Sequence, residues 1–350
     1  MKHFVIALIL SASAIVAQQP KVINTQFNTE PAGAGLSATV ARFQRSTQPQ
    51  WIGYEVPALP RTNFNSCSDS DGASQSEDGC CGEYQLEGTR NGMSTTDQKP
   101  SPANMYVLMR LDQGAIIRIR PANAGCRLNA GGVPFTWLTG VQPNDSVAFL
   151  AKLAAQPNEG SKHPTEDALA ALAMHATPAA TDVLASLAAP SNTPWLREKA
   201  AFWLGAKRGH EGFLALQHLV SKEQDPKLRE KLAFDLSINS DPAAIDELLK
   251  MAHSDDNPAV RGQAIFWLAQ KARKKASAAI TNAIENDPEL QVKKKAVFAL
   301  SQLPRDEGVP QLIHVADTNS NPAIRKDAIF WLGQSKDPRA LEYLEAILKR

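Results

Sequence analysis

The chain carries almost no surplus charge: 37 lysines and arginines face 36 aspartates and glutamates, a formal net of +1. A balance of this kind leaves no global electrostatic footprint for DNA, RNA or an anionic bilayer, so nucleic acid is not an expected partner. Cysteine is scarce as well. Only Cys67, Cys80, Cys81 and Cys126 occur, with no CxxC pair among them, which argues against a thiolate metal site. HExxH, GxSxG, GxGxxG and GxxxxGK[ST] are all missing, so the sequence announces no zinc hydrolase, serine nucleophile or phosphate cradle. No cofactor, metal ligand or catalytic residue is assigned on this basis. Beyond the N-terminus, no apolar run approaches the length of a membrane helix.

The N-terminus itself has the make-up of a secretory signal peptide over residues 1–17, with Lys2, an apolar run from Phe4 to Leu10 and small residues before Gln18. A periplasmic or secreted location is the corresponding expectation. In that setting four cysteines confined to one module favour disulfides. The adjacent Cys80 and Cys81 are poorly placed to bridge each other, so Cys67 is expected to pair with one of them and Cys126 with the other.

Residues 18–160 read as a small β-rich module. Alternation suggests strands over 36–43 and 50–56, and two β-prone arms around Asp112-Gln113-Gly114 suggest a hairpin over 106–121. Gly131-Gly132 marks a turn before an apolar strand containing Trp137, and Asp145 is the expected cap of a connecting helix. Residues 61–101, rich in Ser, Asp, Gly and Asn, are expected to be loop or disordered. Gln156–Ser161 reads as a hinge.

A different order begins at residue 164. The run AIFWL at 264–268 returns at 328–332, and AAFWL stands at 200–204. The interval is 64 residues. LAFDL at 232–236 and AVFAL at 296–300 fill the gaps, so the unit is 32 residues, with phenylalanine at 202, 234, 266, 298 and 330 and tryptophan in alternate copies. A second register places Leu172, Leu204, Leu236, Leu268, Leu300 and Leu332 at the same point of six units. Positions 260, 264, 267 and 268 fall on one face of a helix, so Leu204, Leu236, Trp267, Leu268, Leu300 and Leu332 are expected in the core. Prolines 194, 226, 258 and 322 open the first helices, and Asp-Pro at 241–242 and 337–338 opens second ones. Helix pairs of this size bury their apolar faces only by stacking. Arg197, Arg229, Arg261 and Arg325 also hold one register, which fits repeated internal hydrogen bonding better than a ligand site.

The run Leu196-Arg197-x-x-Ala200-x-x-x-Leu204-Gly205, seen again at 324–333 and followed there by Asp337-Pro338-Arg339-Ala340, resembles the HEAT-like repeats of the type first noted in phycobilisome bilin lyases. The resemblance implies a right-handed α-solenoid over 164–350 and supplies no catalytic residue. The expected fold is thus α+β overall: about six two-helix HEAT-like repeats preceded by a disulfide-linked β-rich module. The expected function is that of an interaction or scaffold protein, binding a protein or peptide through the solenoid. Asp246, Glu247, Arg273, Lys274 and Lys275, which vary between units, are the candidate partner contacts. His175, His210, His218, His253 and His314 share no register and read as scattered surface or capping residues. The competing expectation is an enzyme, hydrolase or lyase-like, with a site in the first module or at the module junction, where Tyr54, Glu55, Asp112 and Asp145 offer carboxylate and phenol groups.

Overall fold

The computed structural model of the chain describes residues 19–60, 83–87, 103–156, 164–272 and 274–349. Its contacts divide the chain into two units, Met1–Asp145 and Ser146–Arg350.

The first unit is built on a five-stranded sheet in the order β2-β8-β3-β5-β6, from Phe27–Pro31, Phe135–Thr139, Gln50–Pro57, Asn104–Asp112 and Ala115–Asn123. The β2, β8 and β3 strands run parallel, whereas β3, β5 and β6 are antiparallel neighbours. A three-stranded sheet, β1-β7-β4, joins Val22–Ile23, Arg127–Asn129 and Glu83–Gln85 in parallel. The core between them holds Trp51, Leu86, Tyr106, Leu108, Leu128, Phe135 and Trp137, all essentially inaccessible. The β5–β6 turn is a two-residue connection with Gln113 and Gly114 both at positive φ (48° and 75°), the type I′ geometry that matches strand twist. A Cβ at Gly114 would stand 2.6 Å from the carbonyl oxygen of Gln44, so only glycine fits.

Several expectations for this unit require correction. Leu36–Phe43 is helix α1, not a strand. Leu36, Ala38 and Val40 alternate as in a strand, but Leu36, Val40 and Phe43 also satisfy a helical i, i+4, i+7 spacing, and burial of Leu36, Thr39 and Val40 favours the helix. Within 61–101, expected as loop, residues 83–87 carry β4 and place Leu86 in the core. The helix expected from Asp145 begins at Pro143, with Asp145 in its first turn: α2, Pro143–Ala154. The disulfide-linked module is also withdrawn. Cys67, Cys80 and Cys81 lie outside the described residues, Cys126 alone lies within them, and no cysteine pair is found among the described residues. Two sheets sharing an aromatic core give the unit cohesion of its own. The signal-peptide residues 1–17 likewise lie outside the described residues. The described residues contain no cysteine pair, and similar proteins add no support for the signal, the periplasmic or secreted location or a disulfide.

The second unit is a stack of helices. After α2 come α3 and α4 (Pro164–Ala173, Ala179–Leu187), α5 and α6 (Pro194–Lys207, Gly209–Lys222), and α7 and α8 (Pro226–Ile238, Ala243–Ser254). These are followed by α9 and α10 (Pro258–Ala272, Lys274–Asn286), α11 and α12 (Leu290–Gln302, Arg305–Thr318), and α13 and α14 (Pro322–Gln334, Pro338–Leu348). Among the described residues there are thirteen helices from α2 to α14, so the expected six pairs are preceded by one further helix. The proline openings work as the sequence suggests. Asp225, Asn321 and Asp337 accept from the backbone N–H two residues on, with proline between, capping α7, α13 and α14. Successive first helices touch more closely than successive second helices, so packing between repeats runs mainly through the first helices, the inner layer of that packing. Leu204, Leu236, Leu268, Leu300 and Leu332 are fully buried, while Trp267 is only half-buried. Among the described residues no helix is long and apolar enough to cross a membrane.

The arginine register links one repeat to the next. Arg229 is bidentate to Asp255 at 2.8 and 2.9 Å, and Arg261 is bidentate to Asp287 at 2.7 and 2.9 Å. Arg197 pairs with Glu223. In each case the acid lies 26 residues downstream, in the turn before the next first helix. Arg261 also donates through Nη1 to the carbonyls of Asp255 and Asp256, tying its own helix entrance. Burial pushes the Asp287 carboxyl up, but the hydrogen bonds from Arg261 and the Glu289 N–H outweigh it and hold the group below the usual carboxylate range. At the fourth step both partners change together. Lys293 donates to the Glu285 carbonyl at 2.8 Å, and Asn319 stands 26 residues on. Removing one partner of a buried pair strands the other, so Arg261→Ala is expected to cost about 3–5 kcal/mol. The paired exchange Arg261→Lys with Asp287→Asn, which copies positions 293 and 319, is expected to lose less than half of that in urea denaturation. Equal losses in both variants would show that the pair does not set the repeat contact.

Candidate functional site

The inner helices carry an unbroken run of aromatic rings. Phe202 stacks on Phe234 at 6.3 Å between centroids, Phe234 meets Trp267 at 4.8 Å, and Trp267 meets Phe266 at 4.8 Å. Phe266 then lies parallel to Phe298 at 6.0 Å, Phe298 meets Trp331 at 4.9 Å, and Trp331 meets Phe330 at 5.0 Å. Trp203 extends the other end, 5.2 Å from Phe202. Eight rings thus cross α5, α7, α9, α11 and α13. They are half-buried except for Phe330, which is 56% exposed. Five helices spaced by about 8–10 Å give such a face a length of roughly 30–40 Å, and exposed apolar surface of that extent marks an interaction site more often than an idle surface.

The alternation of tryptophan has a packing cause. Trp267 leans over Phe234 of the preceding repeat and Trp331 over Phe298. The residues next to those phenylalanines, Asp235 and Ala299, are small and occupy the tryptophan position of their own repeats. A tryptophan in every copy would put two indoles into one space. Asp235 is the outlier of this column. Its side chain is buried, and its Oδ2 has no hydrogen-bond partner; the indole Nε1 of Trp267 is equally unsatisfied. Burial pushes the Asp235 carboxyl well above the usual carboxylate range, with Glu198 adding to the rise and Lys231 opposing it.

Asp246 and Glu247, the candidate contacts on α8, lie on a second helix and not on this face. Glu247 is buried, accepting from Gln217 at 2.9 Å and Lys250 at 3.3 Å, so it is no partner contact; it is held between second helices. Asp246 is exposed on α8. Arg273 lies outside the described residues, and Lys274 and Lys275 open α10. The enzyme candidates do not meet either. Tyr54 and Glu55 are neighbours in β3 and point to opposite faces, with Tyr54 buried and Glu55 accepting from Asn104 at 2.8 Å. Glu55 is paired with Tyr106, six residues from Asp112 along β5, which sets the two carboxylates roughly 20 Å apart. Asp145 is exposed in α2.

Two polar clusters escaped the sequence reading. In the first unit Glu87 accepts from Trp51 Nε1 at 2.6 Å and from the buried Arg110 at 2.7 Å. Burial raises this carboxyl, but those bonds and the charges of Arg110 and Arg118 leave it lowered, an ionised acceptor rather than a general acid. In the second unit Ser146 Oγ lies 2.8 Å from His175 Nε2, and His175 Nδ1 lies 2.8 Å from the Ala171 carbonyl. Both side chains are inaccessible, so His175 is a core residue, contrary to the surface role expected, and the pair is closed to substrate. Among the described residues no group of three or more His, Cys, Asp or Glu side chains is placed to hold a metal ion.

The family of HEAT repeats matches the chain over residues 181–269 and 277–350. The C-terminal region is a HEAT-repeat array. No curated protein matches the chain. Among solved structures, the CpcE–CpcF complex of phycocyanin lyase from Nostoc sp. PCC7120 is similar at 23% identity, covering 45% of this chain and 100% of that one, with a TM-score of 0.34. Human deoxyhypusine hydroxylase in complex with glycerol is similar at 18% identity, over 58% and 90% of the two chains, with a TM-score of 0.32. AlkD2 from Streptococcus mutans is similar at 20% identity, over 53% and 97%, with a TM-score of 0.37. At these TM-scores the likenesses assign no function to the HEAT-repeat unit.

His175 provides a pH signature of the array's N-terminal end. Burial lowers its pKa from 6.5 to about 4, with the Arg208 charge contributing in the same direction. As pH falls from about 6.5 to about 4 the unfolded chain takes up a proton there that the folded chain refuses, so folding stability falls with it. A shift of that size corresponds to about 3 kcal/mol. Urea denaturation at pH 7 and pH 4.5 is expected to show a smaller acid loss in His175→Gln than in the wild type. Superimposable pH dependences would place the imidazole in contact with solvent.

Proposed function

We propose that the HEAT-repeat array binds a protein or peptide segment along its inner aromatic face. The observation that carries this reading is the run of eight contacting, half-exposed rings from Trp203 to Phe330. Interfaces draw on Trp and Phe side chains in this way, because they bring large contact area with few rotatable bonds. An extended segment rises about 3.3 Å per residue, so some ten residues span the face. The segment would lie across the first helices and contact several repeats at once, as stacked repeats allow.

An enzyme is the second reading. HEAT-type folds are shared by a lyase and a hydroxylase as well as by binding proteins, and a fold does not choose between them. The feature that favours it is Glu87, a carboxylate held ionised by Arg110 and Trp51 at the edge of the first unit. Against it stands the lack of a second converging group, since Glu55, Asp112 and Asp145 lie elsewhere.

Selection of a displayed random twelve-residue peptide library on the immobilised full-length chain tests the proposal. Enriched peptides are expected to bind the wild type and to lose at least tenfold in affinity for the Phe266→Ser, Phe298→Ser variant. Enrichment of no sequence, or equal affinity for both proteins, would overturn the binding face. Substrate turnover abolished by Glu87→Gln would establish the second reading in its place.

A further inference from the structure

Asp235 interrupts a column otherwise made of Trp203, Trp267, Ala299 and Trp331. An unpartnered buried carboxyl costs stability, and Ala299 shows that an inert small residue serves the same packing. A costly group where a neutral one would do points to a use. Its surroundings suggest what that use is. Lys231, one helical turn before Asp235 and therefore on the same side of α7, is exposed and pairs at 3.3 Å with the equally accessible Glu198 of α5. The neighbourhood thus holds two acids and one base, and the base sits at the rim. Elsewhere along the inner helices the rim pairs Lys199–Glu166 and Lys294–Asp327 are balanced, one acid to one base. Phe234, the chain neighbour of Asp235, contacts both Phe202 and Trp267, and Phe202 contacts Trp203, so the position adjoins the ring run.

We propose that Asp235 is the subsite for a cationic side chain, arginine or lysine, of the peptide bound along the aromatic face. This rests on the binding reading above and specifies a basic partner. The incoming cation passes Glu198, displaces Lys231 from it, and comes to rest against the indole and phenyl faces; Asp235, which burial keeps protonated in the free chain, gives its proton to solvent as the cation enters and becomes the counter-charge. Aromatic surface and a buried carboxylate together favour a desolvated cation over a neutral group of the same shape. Arginine suits the site best, since its planar guanidinium stacks on rings while its N–H groups reach a carboxylate.

The test uses the full-length chain labelled with 5-fluorotryptophan and two blocked five-residue peptides, alanines around a central arginine and the same with citrulline, an uncharged isostere. Fluorine NMR is expected to show saturable shifts of the Trp203 and Trp267 resonances with the arginine peptide, at least tenfold weaker with the citrulline peptide. Asp235→Ala, which copies position 299 and is expected to fold, should lower the affinity for the arginine peptide at least tenfold. Should that variant fail to fold, the comparison of the two peptides on the wild type still decides. Equal affinity for both peptides, or an undiminished response in Asp235→Ala, overturns the cationic subsite. If peptides selected on the library still depend on Phe266 and Phe298, the binding face survives that result. Shifts that follow protein concentration rather than peptide would mean that a second copy of the chain occupies the face, and would also overturn the proposal.

Discussion

The repeat array depends on one contact, made by the arginine in the first turn of α5, α7 and α9 and the acid 26 residues further on. Arg197–Glu223, Arg229–Asp255 and Arg261–Asp287 each join the start of one repeat to the turn that precedes the next. Because the guanidinium also binds the carbonyls of its own entry turn, a single side chain fixes both the cap of its helix and the position of its neighbour. Such a buried pair adds little net stability over apolar residues, but it tolerates few geometries. Leucines at 204, 236, 268 and 300 could slide against one another with modest loss, whereas a bidentate pair cannot. The concerted change to Lys293 and Asn319 fits this view, since it alters charge on both sides of one link together.

With the repeats locked in this way, the aromatic layer follows from space. Phe202 and Phe266 meet the phenylalanine of the next first helix, and Trp267 and Trp331 lean back over Phe234 and Phe298 of the preceding one. That backward lean consumes the volume that a tryptophan in the intervening repeat would need, which doubles the visible period to 64 residues. Close approach of the inner helices adds a further demand. A Cβ at Gly205 would stand 2.3 Å from the Asp235 carbonyl oxygen, so α5 and α7 meet backbone to backbone at the point where the buried acid sits. This close crossing, the outlying carboxyl and the ring run therefore occupy one stretch of the array. Function is assigned to that stretch because it departs from the pattern that packing alone requires.

Much of the array was legible in the sequence because a repeat presents each constraint several times. The leucine columns, the proline openings and the internal role of the arginines could all be read from the register. The acid column at 223, 255 and 287 obeys the same spacing and was there to be found, as was Asp235 at a tryptophan position. Trp267 was harder: helical projection places it on the core stripe, but its ring travels to the preceding repeat and keeps part of its surface in water. The first unit offered no repetition. Its sheets join β2 to β8 and β1 to β7 across more than a hundred residues, and no local pattern encodes such pairing. Leu36–Phe43 matched two periods at once, and the short β4 was hidden in a polar stretch where Leu86 is the core residue among those described. His175 carried no register to mark it as buried.

The claim on which the account turns is that the ring run is an open face of the array and not a covered core. Hydroxyl-radical footprinting of the full-length chain measures this directly, since oxidation of Phe and Trp follows their access to water. The account predicts ready oxidation of Phe330 and graded oxidation of Phe202, Phe234, Phe266, Trp267, Phe298 and Trp331, beside protected Trp51 and Trp137. Protection of the ring run equal to that of Trp51 and Trp137 would contradict it.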